Sequence, residues 1–126
     1  MYITTNGIRI TKGSTQQLVD LFETQDGIKR QPGFINLEIW AQIHDATDDF
    51  CLIVTHWESE AYYDDWINSE AFKESHSGTH PTYILGPGQT THYQLGLTVS
   101  PWEISRLPET CSILTTTVKE LISNLD

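Results

Sequence analysis

Hydrophobic and polar residues alternate along the chain with two periods, and the switches between them mark its elements. Over residues 2–11 the period is two. Tyr2, Thr4, Asn6, Ile8 and Ile10 share one face of a strand, and Ile3, Thr5, Gly7, Arg9 and Thr11 share the other. Lys12-Gly13 breaks the pattern. Ser14, with Gln17 three residues on, has the form of a capping box. Leu18, Leu21, Phe22 and Ile28 then recur near helical spacing, which predicts a helix over 14–30 that Pro32-Gly33 stops.

Residues 34–42 return to strand alternation, with Ile35, Leu37 and Ile39 set against Asn36, Glu38 and Trp40. An Asp-rich turn, Asp45 to Asp49, leads into residues 50–57. These are nearly all apolar, as a central strand buried on both faces should be. Ser59 can cap a helix carrying Tyr62, Tyr63, Trp66 and Ile67. Ser69 can cap a shorter one carrying Phe72 and His76, with Glu70 placed to suit the helix dipole. Gly78 to Gly88 reads as loop and 89–99 as a fourth strand.

The order strand, helix, strand, strand, helix, strand predicts an α+β class fold, a ferredoxin-like unit with helices on one face of one sheet. Apolar residues on both faces of the strands imply that the other face is buried against a second copy. That unit takes residues 1–100. Residues 101–126 form a linker, Pro101 to Pro108, and then a helical stripe of Ile113, Leu114, Thr117, Val118, Leu121, Ile122 and Leu125 that docks on the domain or its partner.

Composition narrows what such a domain can do. With 38% hydrophobic and 19% charged residues, the chain can bury a core. No apolar run approaches the roughly 20 residues of a membrane span, and MYITTNGIRI lacks the basic and apolar regions of a secretory signal, so a cytoplasmic protein is expected. Seventeen Asp and Glu against seven Lys and Arg give a formal charge of −10. That charge disfavours both nucleic acid and an anionic membrane as partners. Cys51 and Cys111 lie far apart and outside any CxxC spacing, and are expected to be reduced and structural.

Few residues carry candidate chemistry. Asn6 interrupts an apolar strand face. It is either an amide bonded to a neighbouring loop or a hydrogen-bond donor aimed into a pocket. His76 falls one helical turn after Phe72, near a helix end, either merely exposed or presenting one imidazole nitrogen to a metal. Trp66 and Phe22 read as core packing. His44, His56, His80 and His92 show no zinc-ligand spacing and read as structural or surface groups. There is no GxSxG, no phosphate-cradling glycine loop and no GxGxxG.

Three segments together carry a resemblance: W-E-S-E-x-x-x-x-x-W-x-N-S-E-A-F-K-E-S-H at 57–76, T-N-G-I-R-I-T-K-G at 5–13, and D-G-I-K-R-Q-P-G-F at 26–34. Over residues 1–98 the chain resembles the antibiotic biosynthesis monooxygenase (ABM) superfamily. The joint presence of Asn6, Trp66 and His76 is similar to its Isd-type haem-degrading branch. The resemblance implies a dimeric α/β-barrel that binds haem as substrate and cofactor at once, cleaves it with oxygen, releases iron, and takes electrons from an external reductant. It also implies roles for single residues. His76 would ligate the haem iron, Asn6 would be the distal hydrogen-bond donor, Trp66 would press on the porphyrin, and Phe22 would line the pocket.

Two features depart from the pattern. Gly7 stands where relatives commonly carry Arg, and the tail from Pro101 has no counterpart in shorter members. Two rival functions share the same scaffold: a cofactor-free monooxygenase acting on a quinol or polyketide phenol, and a haem-binding protein without turnover.

Overall fold

The computed structural model describes residues 1–42, 47–78 and 80–102. The chain divides into two compact units, Met1–Leu95 and Gly96–Asp126. Of the second, residues 96–102 are described and carry no regular secondary structure. The expected C-terminal helical stripe and Cys111 lie outside the described residues.

Met1–Leu95 holds β1 (Tyr2–Thr11), α1 (Thr15–Glu23), a single 3-10 turn (Ile28–Arg30), β2 (Phe34–Ala41), β3 (Asp48–Trp57), α2 (Glu60–Ile67), α3 (Glu70–Ser75) and β4 (Gln89–Gln94). The strands form one antiparallel sheet in the order β2-β3-β1-β4. This is the expected ferredoxin-like arrangement, with the most apolar strand, β3, in the interior of the sheet.

The alternation on β1 appears as burial. Tyr2, Thr4, Ile8 and Ile10 are buried, and Asn6 between them is half-buried. Ile8, Ile10, Leu18, Cys51 and Ile53 make one core cluster; Tyr2, Ile28, Trp57 and Trp66 make a second. The buried hydroxyls are paired. Thr4 Oγ1 lies 2.6 Å from Thr55 Oγ1, and Trp57 Nε1 donates to Thr55 Oγ1 at 3.0 Å. Cys51 is free and buried, as expected of a structural thiol.

Four local expectations need correction. The helix expected over 14–30 ends at Glu23. The hydroxyl of Thr24 donates back to the Leu21 carbonyl, and the chain turns before Ile28. The break lets Ile28 join the second core cluster while Leu18 stays in the first. Ser14 occupies the N-cap without a capping hydrogen bond. Asp49 of β3 instead ties down the entry to the helix, accepting from Gly13 N at 2.8 Å and from Thr15 Oγ1 at 3.0 Å.

In β2 the register shifts between Phe34 and Asn36, so Ile35 is the extra residue of a bulge. Phe34 therefore packs inward beside Leu37, and Ile35 faces out. The fourth strand ends at Gln94 rather than residue 99. It pairs with Tyr2 to Gly7 of β1, and Leu95 N donates to Met1 O just past the ladder.

The sheet edge beside β1 comes in two pieces. Gln89–Gln94 pairs with its first half. Along its second half, Leu85 N donates to Arg9 O at 3.0 Å and Thr11 N to Tyr83 O at 2.9 Å. Between the pieces, Gly86-Pro87-Gly88 loops away from the strand.

Residues of α1 and α2 enter the two core clusters on one face of the sheet. The opposite face carries Phe50, Leu52 and Trp40, the last 52% exposed. Gly7 lies on that face across from Leu52. A Cβ there would stand 2.8 Å from Phe50 Cζ, so the missing side chain gives room for the Phe50 ring to cross β1. Among the described residues, no helix is long and apolar enough to cross a membrane.

Candidate functional site

On the helix-bearing face, β1, α1 and the segments flanking α3 and β4 enclose a cavity of about 720 Å³, within the usual range for small-molecule sites. Ile8, Leu18, Leu21, Phe22, Pro81 and Ile84 give it an apolar wall. The polar groups on it are few: Asn6, Gln25, Ser75, His76, Ser77 and His80. Asn6, Phe22 and His76, three of the four residues singled out in the sequence, are thus brought to one cavity.

Each arrives there for a local reason. Asn6 shares the inward face of β1 with Ile8 and Ile10. Phe22 sits on α1 one turn beyond Leu18, which is fully buried. His76 is the C-cap residue of α3, a helix started by Ser69, whose hydroxyl accepts from Phe72 N at 3.1 Å.

The imidazole of His76 is held on one side only. Its Nδ1 lies 2.9 Å from the carbonyl oxygen of Phe72 and 2.9 Å from Ser75 Oγ. A carbonyl can only accept, so Nδ1 carries a proton, and Nε2 is the nitrogen left for a ligand when the ring is neutral. The ring also stacks on Phe72, with centroids 4.0 Å apart. An exposed imidazole with a fixed ring and an unbonded Nε2 has the chemistry of a metal ligand.

Asn6 presents the opposite situation. Its Oδ1 is buried and has no hydrogen-bond partner, and it is the one such side-chain atom among the described residues. A buried acceptor left unpaired costs about 1–3 kcal/mol. The reading of Asn6 as an amide bonded to a neighbouring loop therefore fails here: the loop beside it, Gly86-Pro87-Gly88, supplies no donor to Oδ1. Groups kept at such a cost cluster at functional sites.

Trp66 is not on the cavity wall. It is 7% exposed, buried with Tyr2, Ile28 and Trp57, and meets Phe72 edge-on at 5.4 Å between centroids. The order Trp66, Phe72, His76 makes a continuous aromatic stack from core to cavity. The core-packing reading of Trp66 describes this structure, and Phe72 lies between the indole and His76. Phe22, with Gln25, also lines a second apolar cavity of about 420 Å³ between α1 and β2.

Sequence reasoning read His80 as a structural or surface group, and it missed the Gly86-Pro87-Gly88 loop as a cavity-forming part. A lone histidine without ligand spacing carries no signal. The glycines and proline marked a turn, but nothing in their spacing said what the turn faces.

A ferredoxin-like sheet whose helix-bearing face opens on an apolar cavity, with the Asn6 amide and the His76 imidazole on its wall, defines a small α+β ligand-binding or catalytic domain. Residues 1–78 match the antibiotic biosynthesis monooxygenase family, and the chain belongs to that family. It is 40% identical over 88 residues to a haem-degrading monooxygenase of Shouchella clausii, covering 68% of this chain and 82% of that protein. It is 34% identical over 110 residues to a haem-degrading monooxygenase of Bacillus thuringiensis subsp. konkukian, covering 86% and 95%. Among solved structures, the haem degrader MhuD of Mycobacterium tuberculosis, with two haems bound in its active site, matches with a TM-score of 0.65 at 20% identity. That match covers 79% of this chain and all of the other, and is a likeness of fold.

Proposed function

We propose that this chain is a haem-degrading monooxygenase whose cavity beside α3 binds haem with His76 on the iron. The observation that carries the proposal is the hold on His76: Nδ1 is committed to the Phe72 carbonyl, which leaves Nε2 as the ring nitrogen available to a ligand at the wall of a cavity of ligand size. The family membership and the names of the curated relatives support it.

The donor set fits the group. A neutral imidazole suits haem iron. The apolar wall suits the porphyrin plane, and an amide with an orphaned oxygen leaves its Nδ2 end to serve as a donor. Haem, when bound, supplies the iron centre that activates oxygen and is itself the molecule consumed.

The protein's part is placement. Phe72 fixes the His76 ring by stacking and through its carbonyl. Trp66 backs Phe72 from the core, so it acts on the ligand through that ring. Leu18, Leu21, Phe22 and Ile84 exclude water from the wall. Asn6 Nδ2 makes no hydrogen bond to any described residue and is free to donate to whatever occupies the cavity. Degradation of bound haem would draw its electrons from an external reductant and would release the iron. The sheet face bearing Trp40, Phe50 and Leu52 pairs with a second copy to form the dimeric barrel.

Adding haemin should give a Soret band at one haem per chain. Ascorbate or a reductase under air should then bleach it with release of iron. No Soret band would favour the cofactor-free monooxygenase, and a band that survives reductant and air would leave a haem-binding protein without turnover.

A further inference from the structure

The loop Gly86-Pro87-Gly88 enters β4 beside Asn6, and the function above gives it no task. Thr90 pairs with Asn6 and Gln89 with Gly7, so Gly88 lies diagonally from Asn6 on the same, inward face of the sheet. A Cβ built on Gly88 would fall on Asn6 Oδ1, with Asn6 Cγ and Nδ2 each 3.0 Å away. The space a side chain at 88 would take is the space the amide occupies.

We infer that Gly88 is a positioning residue for Asn6: by lacking a side chain it seats the amide oxygen against the loop backbone and turns Nδ2 toward the cavity. The inference rests on the haem reading above for its effect on turnover, but not for its geometry.

The orientation follows from what each end of the amide needs. Against a glycine Cα–H, an oxygen finds a weak positive contact, and its lone pairs are the lesser loss. An NH2 turned into the same seat would bury two donors with no acceptor. Oδ1 is sealed there without a partner, so the seat is closed. Pro87 stiffens the approach to it by fixing its own φ. Any side chain at 88 must displace the amide, which takes the donor out of register with the cavity while leaving His76, on α3, where it is.

Four proteins test this: wild type, Asn6→Ala, Gly88→Ala and the double variant Asn6→Ala/Gly88→Ala. In the ligand-free proteins, the Asn6 side-chain NH2 resonance, identified by its loss in Asn6→Ala, should move in Gly88→Ala. With haem, Gly88→Ala should keep wild-type affinity and lose turnover as Asn6→Ala does, on the order of a hundredfold or more for one preorganised donor. The double variant should be no slower than Asn6→Ala, because the two changes remove the same thing.

An unmoved resonance, or losses that multiply in the double variant, would overturn the assignment. Should Gly88→Ala fail to fold, the double variant decides. Recovery of the fold when the amide is removed supports the shared seat, and failure of both overturns it. If wild-type protein does not degrade haem at all, the proposed function falls, while the resonance of the free protein still decides the role of Gly88.

Discussion

Phe72 touches His76 twice. Its ring stacks on the imidazole at 4.0 Å between centroids, and its carbonyl oxygen lies 2.9 Å from Nδ1 of the same ring. One residue thus sets both the plane of the imidazole and the nitrogen that carries its proton. The contact is local, four residues apart on one helical turn, so it survives changes elsewhere in the fold.

His76→Ala should abolish tight haem binding and leave the domain folded, because His76 is exposed and caps a six-residue helix. The loss should exceed the about 10–100-fold typical of removing a mere partner of a metal-bound histidine. Titration of haemin followed by its Soret band, with circular dichroism as the control, measures both. A variant with wild-type affinity would hand the iron to another group, with His80 on the same cavity the first to examine.

Trp66→Ala should destabilise the fold by about 3–5 kcal/mol, as large core aromatics do when truncated. Trp66→Phe keeps a ring against Phe72 and should retain most of the stability and the haem affinity. Chemical denaturation of both variants beside haem titration separates the two effects. If Trp66→Phe is stable yet binds haem poorly, the indole reaches the ligand directly rather than through Phe72.

Asn6→Ala should slow haem turnover by about 3–4 kcal/mol in the barrier while the haem complex still forms. Its thermal midpoint should not fall, since the substitution deletes an acceptor that is buried without a partner. A lower midpoint with unchanged turnover would return Asn6 to a structural role.

Acid should weaken the attachment of α1 to β3. Burial alone would raise the Asp49 carboxyl, but hydrogen bonds from Gly13 and Thr15 and the nearby Lys12 outweigh it, and the group is held below its ordinary value of 3.8. Its stabilising contribution is therefore complete above that value and is lost as pH falls through the lower, folded value. Asp49→Asn should flatten the acid limb of a stability-against-pH curve below about pH 4. An unchanged limb would mean the interaction contributes nothing to folding.

Sedimentation at micromolar concentration should give twice the monomer mass, with or without haem. Trp40→Glu should shift it to monomer, because a large apolar side chain buried in an interface contributes about 1.5–3 kcal/mol and a buried carboxylate opposes association. A wild-type monomer would remove the pairing of sheet faces from the proposal.

What the sequence made legible followed from periodicity. The inward set of β1, the interior place of β3 and the Ser69 cap of α3 are each decided by residues close in sequence, and each appears in the structure. The positions that escaped are decided by partners far along the chain. Asp49 anchors the start of a helix more than thirty residues before it. The bulge at Ile35 exchanges it with Phe34, because the Trp57 ring selects which of the two packs inward, 5.4 Å from Phe34 between centroids. His80 and Gly88 reach the cavity only through the path of the loop. Asn6 was visible as a polar residue on an apolar face, but its orphaned oxygen became visible only with Gly88 beside it.

The divided edge beside β1 bears on how the cavity opens. Gly86-Pro87-Gly88 spans a gap in the ladder like an arch on two posts, one at Leu85 and Arg9, the other at Gln89 and Gly7. Pro87 has no amide hydrogen to protect, and among the described residues neither Gly86 nor Gly88 donates to a loop or turn carbonyl. The arch can lift by local opening, at a free energy well below that of unfolding the sheet. Hydrogen exchange at Gly86 and Gly88 should accordingly be fast beside slow exchange at Leu85 and Thr11. Exposure of the seat around Asn6 would then be governed by a three-residue fluctuation, on a clock separate from the stability of the fold that carries it.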